Sequence, residues 1–245
     1  MNDKLQQIDT LLGELNQYRA NENYRITEAL EIEYTYDSNR IEGNTLTLHE
    51  TDMVVNKGIT IAGKGLREHL EAINHKEAID FIKDVAQKKE PISERVLLDI
   101  HAIVLHSIDK DNAGKYRRVP VIISGSKHIP PQPYLLQPKM DELFQWYEAN
   151  KDSMHPVVLA AQMHEKLVSV HPFIDGNGRT ARLLMNLILM QHGYPIANIK
   201  GDNETRRRYY ETLEEVSSGD NSAFLEFIED VVIQSLTYYL KIIRG

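Results

Sequence analysis

Apolar residues recur at helical spacing in one stretch after another. Leu5, Ile8, Leu11, Leu12, Leu15 and Tyr18 mark an amphipathic first helix, and Ile26, Leu30 and Tyr34 mark a second running from about Tyr24 to Gly43. Thr47 and Glu50 form a capping box that starts a short helix through Val55. A long helix follows from Leu66 through Ile73, Phe81 and Val85, and Pro91-Ile92-Ser93 opens the next, with Val96, Leu97, Ile100 and Val104 on its core face. The rhythm continues through Met140, Leu143, Phe144 and Tyr147, then Val157 to Val170. A largely apolar run from Ala181 to Met190 is closed by Gly193 and Pro195. Phe224, Phe227, Ile228, Val231, Leu236 and Leu240 make a last amphipathic helix. The pattern predicts an all-α fold without internal repeats.

Residues 109–135 break that rhythm. A polar loop, 109–118, precedes Val119-Pro120-Val121-Ile122-Ile123 and Lys127-His128-Ile129, which flank Ser124-Gly125-Ser126. This is a hairpin signal, and the prolines leave its edges incompletely paired. On residues alone it is a surface hairpin. Residues 58–65 nearly spell a P-loop, but Gly65 stands where Ser or Thr would hold Mg²⁺ and no parallel-sheet pattern surrounds it, so they read as a loop.

Composition narrows the picture. At 245 residues and 42% hydrophobic content the chain can bury a full core as one domain. It has no cysteine, which rules out a disulfide framework or thiolate metal site and fits a cytoplasmic protein. Met1 to Gln7 has no apolar signal core, and no run approaches the ~18 apolar residues of a membrane span. The net charge of −8 argues against nucleic acid as a partner. A nucleotide needs only local positive charge and stays open.

The chemistry concentrates in His171-Pro172-Phe173-Ile174-Asp175-Gly176-Asn177-Gly178-Arg179-Thr180-Ala181-Arg182. Gly176, Asn177 and Gly178 form a turn feeding a helix N-terminus, where exposed N–H groups and the helix dipole make an anion cradle. Arg179 and Arg182 stand in the first turn of that helix, where cations oppose the dipole; a bound polyanion would explain them. His171 can take a proton from a hydroxyl. Asp175 is a hard oxygen ligand suited to Mg²⁺ shared with phosphates.

This stretch resembles the motif of the Fic family, His-Pro-Phe-x-Asp/Glu-Gly-Asn-Gly-Arg-x-x-Arg, at every specified position. The likeness extends from about Ser38 to Leu240, with no appended winged helix. It implies a Fic-type helical domain with one β-hairpin flap, and transfer of AMP from ATP, with Mg²⁺, to a Ser, Thr or Tyr hydroxyl of a target protein. His171 would be the base and Asp175 the metal ligand. Gly176, Asn177, Gly178, Arg179 and Arg182 would hold the phosphates. The flap, Val121, Ile122 and Ile123, would hold the target by strand addition, for which an unpaired edge is suited. The target is unidentified and could be the protein itself.

Ser38 and Glu42 share a helix face, and Glu42 stands at the unfavourable end of the dipole, as the two arginines do at theirs. Misplaced charges of opposite sign suggest that they meet. Ser38-Asn39-Arg40-Ile41-Glu42-Gly43 also resembles the family's inhibitory motif, which implies that Glu42 holds Arg182 and blocks the γ-phosphate. We therefore expect residues 1–45 to be N-terminal helices carrying the inhibitory helix, and 46–245 to be the catalytic core. Tyr209, Tyr210 and Leu213 match the family's adenine pocket, although each fits a core stripe too; Ser217 stands where some relatives have Asn. Arg206, first of a basic triplet, reads as part of a solvated helix face.

Several alternatives stay open. Glu42 could instead orient a water so that the protein removes AMP, and a non-catalytic ATP-binding sensor would need no base. Retained Gly178 disfavours the kinase variant of the family. His164 and His171 have the wrong spacing for His-Glu-x-x-His, while His101 and His106, lacking a third ligand, read as ordinary helix residues. Leu5, Ile8 and Leu12 could pack on the core or form a homodimer.

Overall fold

The computed structural model describes residues 3–244; Met1, Asn2 and Gly245, which the expected units 1–45 and 46–245 include, lie outside the described residues. Among the described residues ten α-helices follow one another: α1 Asp3–Tyr18, α2 Tyr24–Ile41, α3 Leu48–Lys57, α4 Leu66–Gln87, α5 Glu94–Leu105, α6 Leu136–Asn150, α7 Pro156–Val170, α8 Asn177–Gln191, α9 Asn203–Ser217 and α10 Ser222–Arg244. Short 3₁₀ turns lie at Arg19–Asn21 and Pro133–Leu135.

The helix α8 is the axis. Leu183, Leu184, Met185, Leu187, Ile188 and Leu189 are all fully buried, so this helix is apolar all round and must be enclosed by others. The helices α7, α4 and α5 pack against it. The helix α1 lies along α10, with Ile8 and Leu15 fully buried and Leu5 and Leu12 packed beside them. Its apolar stripe is therefore covered within the chain, and Lys4 adds ion pairs to Glu226 at 2.9 Å and Asp230 at 2.5 Å.

Helix ends follow the chemistry of their caps. Asn23 accepts from the N–H groups of Arg25 and Ile26 to start α2, and Thr47 and Glu50 form the expected capping box of α3. Residues 58–65 are a loop, fixed by the Ile61 N–H donating to His69 Nε2 at 2.8 Å.

The hairpin does not form. Among the described residues there is no strand, and 119–131 is irregular. Pro120, Pro130 and Pro131 remove three N–H donors from the would-be arms. A single turn bond remains, from the Ser126 N–H to the Ile123 carbonyl at 3.1 Å.

Candidate active site

The helix α7 ends on His171, which is left-handed at φ 48°, ψ 56°, with its N–H donating to the Leu167 carbonyl. A non-glycine residue there is strained and must be held by its surroundings. Phe173, fully buried, stacks on His101 of α5 with ring centroids 3.6 Å apart. The Gly114 N–H donates to His101 Nδ1 at 3.0 Å. That leaves the ring proton on Nε2, which donates to the Asp175 carbonyl at 3.0 Å. Burial pushes the His101 pKa down to about 4, keeping it neutral for both contacts. Sequence reasoning passed over this residue; its signal was a place on the apolar stripe, four residues from Leu97 and from Leu105.

The turn closes on itself. Asn177 accepts from the Phe173 N–H at 3.0 Å and donates to the Phe173 carbonyl at 2.9 Å. Gly176, at φ 79°, caps α8, and its N–H donates to Asp175 Oδ1 at 2.6 Å. Asn177 is thus the first residue of α8, four before Ala181, because these polar contacts rather than apolar periodicity start the helix.

Ser38 and Glu42 arrive on the end of α2. Arg182, 1% exposed, donates through Nη2 to Glu42 Oε1 at 2.7 Å and to the Ser38 carbonyl at 2.9 Å, and through Nε to Ser38 Oγ at 3.0 Å. A guanidinium so deeply buried needs such partners to offset its desolvation. Gly178 makes room for the carboxylate: a Cβ there would lie 2.3 Å from Glu42 Oε1. Glu42 therefore sits over the first turn of α8, in the ground an anionic ligand would take.

Arg179 turns elsewhere. It is buried, facing Asp175 at 3.3 Å and Glu71 at 3.5 Å. Asp175 also pairs with Arg67. Burial pushes the Asp175 carboxyl up, but Arg179, the Gly176 N–H and Arg67 outweigh it and hold the pKa below the ordinary carboxylate value. An ionised carboxylate, 39% exposed, fits Mg²⁺, which commonly takes one or two protein carboxylates and shares substrate phosphates. Among the described residues no cluster of three or more His or acidic groups would hold a metal unaided, so water and substrate phosphates would supply the other ligands.

Burial likewise pushes the His171 pKa down to about 4, helped by Arg117 and His128 and opposed by the Val168 carbonyl and Glu42. The imidazole is neutral at pH 7 and able to accept a proton. Its Nδ1 is buried, which leaves Nε2 for a substrate.

Arg117, read from sequence as part of a polar loop, is 2% exposed. Its guanidinium donates to the carbonyls of His171 at 2.9 Å, Val119 at 3.0 Å and Pro131 at 2.6 Å. It clamps both ends of the irregular loop to the turn that begins at His171. At the tip, Glu214 of α9 accepts from Ser126 Oγ at 2.5 Å and from the Lys127 N–H at 2.8 Å, while His128 Nε2 meets the Ser169 carbonyl at 2.7 Å. Val121 and Ile123 are half-buried and Ile122 is exposed.

The three expected adenine-pocket residues separate. Tyr209 is core, 1% exposed, its hydroxyl 3.0 Å from His164 Nε2 and 3.5 Å from Arg182 Nη1. Tyr210 is partly exposed, and its hydroxyl donates to the Ile41 carbonyl at 3.1 Å. Leu213 packs half-buried on the core, and the Ser217 hydroxyl donates to the Glu214 carbonyl in its own helix.

The fold has known counterparts. The model of the Fic/DOC family matches residues 91–189. A protein adenylyltransferase Fic from Nematostella vectensis is 38% identical over 210 residues, covering 85% of this chain and 48% of that protein. The solved structure of a variant of Fic-1 from C. elegans is 32% identical with a TM-score of 0.86, covering 98% of this chain and 71% of that one. The chain belongs to the Fic/DOC family. A Fic domain containing signaling protein from Bacteroides thetaiotaomicron has the same fold end to end, with a TM-score of 0.87 at 29% identity over 99% of this chain and 97% of that one. This Fic chain spans about half the length of the curated relative from Nematostella. Among the described residues no helix is long and apolar enough to cross a membrane.

Proposed function

We propose that the protein is an autoinhibited AMP-transferase that moves AMP from ATP to a hydroxyl of a target protein. The observation that carries this reading is a neutral His171 beside a helix N-terminus whose anion place is already taken by Glu42. His171 Nε2 takes the proton of a Ser, Thr or Tyr hydroxyl. The oxygen bonds to the α-phosphorus as the bond to the leaving pyrophosphate breaks. The backbone N–H groups of Gly176, Asn177 and Gly178 steady the phosphoryl oxygens. Arg179 and Arg182 receive the β- and γ-phosphates. Asp175 would hold Mg²⁺, which when bound neutralises charge on the leaving group.

Val121, Ile122 and Ile123 remain our candidates for holding the target, with backbone outside any ladder. Tyr210 and Leu213 are our candidates for the adenine, Tyr209 supporting them from the core.

In the resting protein Arg182 is engaged by Ser38 and Glu42, so the γ-phosphate has no partner there until Glu42 leaves. The test is to incubate wild type and Glu42→Gly in extract with Mg²⁺ and ATP labelled on the α- or the γ-phosphate. We expect label from the α-phosphate only, stronger in the variant by roughly 5- to 150-fold, the usual span of a regulatory coupling. Label from the γ-phosphate would make the protein a kinase. Bound ATP without covalent product would make it a sensor.

One contact favours a second reading. Only Oε1 of Glu42 is hydrogen-bonded to Arg182, and the side chain is 32% exposed, so its carboxylate could orient a water for removal of AMP. Glu42→Gly would then abolish release of AMP from a modified target.

A further inference from the structure

A cavity of about 690 Å³ lies against the N-terminal half of α2, bounded also by the ends of α4 and α8 and by α10. It contains none of the residues assigned above, and its volume is typical of a small-molecule site. Its apolar wall comes from Leu30, Ala86, Met190, Tyr194, Ile196 and Tyr238.

The charges on its wall select against charged guests. Three carboxylates line it, Glu22, Glu31 and Glu33, with three cations, Arg19, Lys83 and Lys200. Each carboxylate is paired with one of those cations: Glu22 with Arg19 at 3.0 Å, Glu31 with Lys83, and Glu33 with Lys200 at 3.2 Å. A charged ligand would have to break a pair or go without a partner in a mostly apolar space. With its charges already paired, the wall suits an uncharged, largely apolar molecule.

Three lining residues lead towards the active site. Asn198 and Lys200 both hold the buried Asp37 carboxylate, Lys200 at 3.2 Å, and Lys200 also holds Glu33. Asp37 further accepts from the Gly201 N–H at 2.9 Å. It directly precedes Ser38, which binds Arg182 together with Glu42. A ligand complementary to this cavity binds the arrangement in which Glu42 meets Arg182. By linkage it would favour that state to the extent that it binds it more tightly than one with Arg182 free.

We propose that this cavity binds an uncharged, largely apolar organic ligand, and that the bound ligand holds α2 in the position that latches Glu42 onto Arg182. The second half rests on the reading of Glu42 given above; the first does not.

The probe is N-phenyl-1-naphthylamine, an uncharged aryl amine with one N–H that brightens in apolar surroundings. We expect saturable, blue-shifted fluorescence with wild type, and affinity at least tenfold weaker in Ala86→Trp, which fills the cavity. Leu30→Trp serves if that variant does not fold. Calorimetric titration of ATP should show affinity about fivefold weaker when the probe is saturating. In Glu42→Gly the probe should still bind but leave ATP affinity unchanged. No saturable signal, or equal binding by the filled variants, would overturn the site. Saturable binding with unaltered ATP affinity in wild type would overturn the coupling. If Glu42→Gly alone leaves ATP affinity unchanged, the latch reading fails, and the probe titration still decides the site.

Discussion

The turn at residues 171–178 and the loop at 119–131 share Arg117 but hold their shape by different means. The turn is closed mainly from within: Asn177 pairs with the Phe173 backbone, and Gly176 with Asp175. His101 props it from α5. The loop has almost no internal bonds and hangs from Arg117 at its neck and from Glu214 and His128 near its tip. Short-range contacts suit the turn to its proposed task of placing a base and an anion to within a fraction of an ångström. Open backbone suits the loop to its proposed task of receiving a partner.

Replacing His171, the proposed base, tests the turn most severely. His171→Ala should cut AMP transfer roughly 100- to 10,000-fold while ATP affinity by calorimetry stays within about twofold of wild type. Transfer that survives would remove His171 from its role without touching the account of the turn's shape.

Acid should weaken the prop behind the turn. The His101 pKa is near 4 in the folded chain and near 6.5 when unfolded, so the unfolded chain takes up the proton first as pH falls. Its contribution to stability is full above pH 6.5 and is lost between 6.5 and about 4. The loss approaches about 3 kcal/mol, with no further change below. Urea unfolding across that range measures it, and His101→Gln should flatten the slope. An unchanged slope would mean that other buried groups, His164 among them, govern the acid limb.

Arg117→Ala attacks the junction. Three carbonyls lose their donor, and we expect about 2 kcal/mol of lost stability. Hydrogen exchange should quicken at 119–131 before it quickens in α7 or α8. Equal acceleration in both places would show that the two regions are a single unit.

Glu214→Ala is the mildest test. The carboxylate is at the surface, so the melting temperature should hold, with faster exchange confined to Ser126 and Lys127. A broad loss of protection would mean that the tip, not the neck, organises the loop.

Much of the chain was legible because its information is local. Helical spacing marked the helices. The caps at Asn23 and Thr47 are local backbone chemistry, and so is the Gly176-Asn177-Gly178 turn. The hairpin fails on information that is also local: Pro120, Pro130 and Pro131 lack N–H donors, and that outweighs the β-propensity of Val121 to Ile123. Charge at the wrong end of a helix pointed to a meeting of Glu42 with the motif arginines. It could not say which arginine, because Arg179 and Arg182 carry the same charge one turn apart.

The sequence by itself determined the helical class, the order of elements, the position of the anion turn and the family. Each depends on residues close together in the chain. Only the tertiary structure decided that Arg179 faces Asp175 and Glu71, while Arg182 faces Glu42 as the family resemblance implied. The same is true of the burial of Tyr209, the prop at His101 and the clamp at Arg117. These depend on which faces of distant helices meet, and burial in that meeting made His171 neutral and gave a loop arginine three carbonyls to hold.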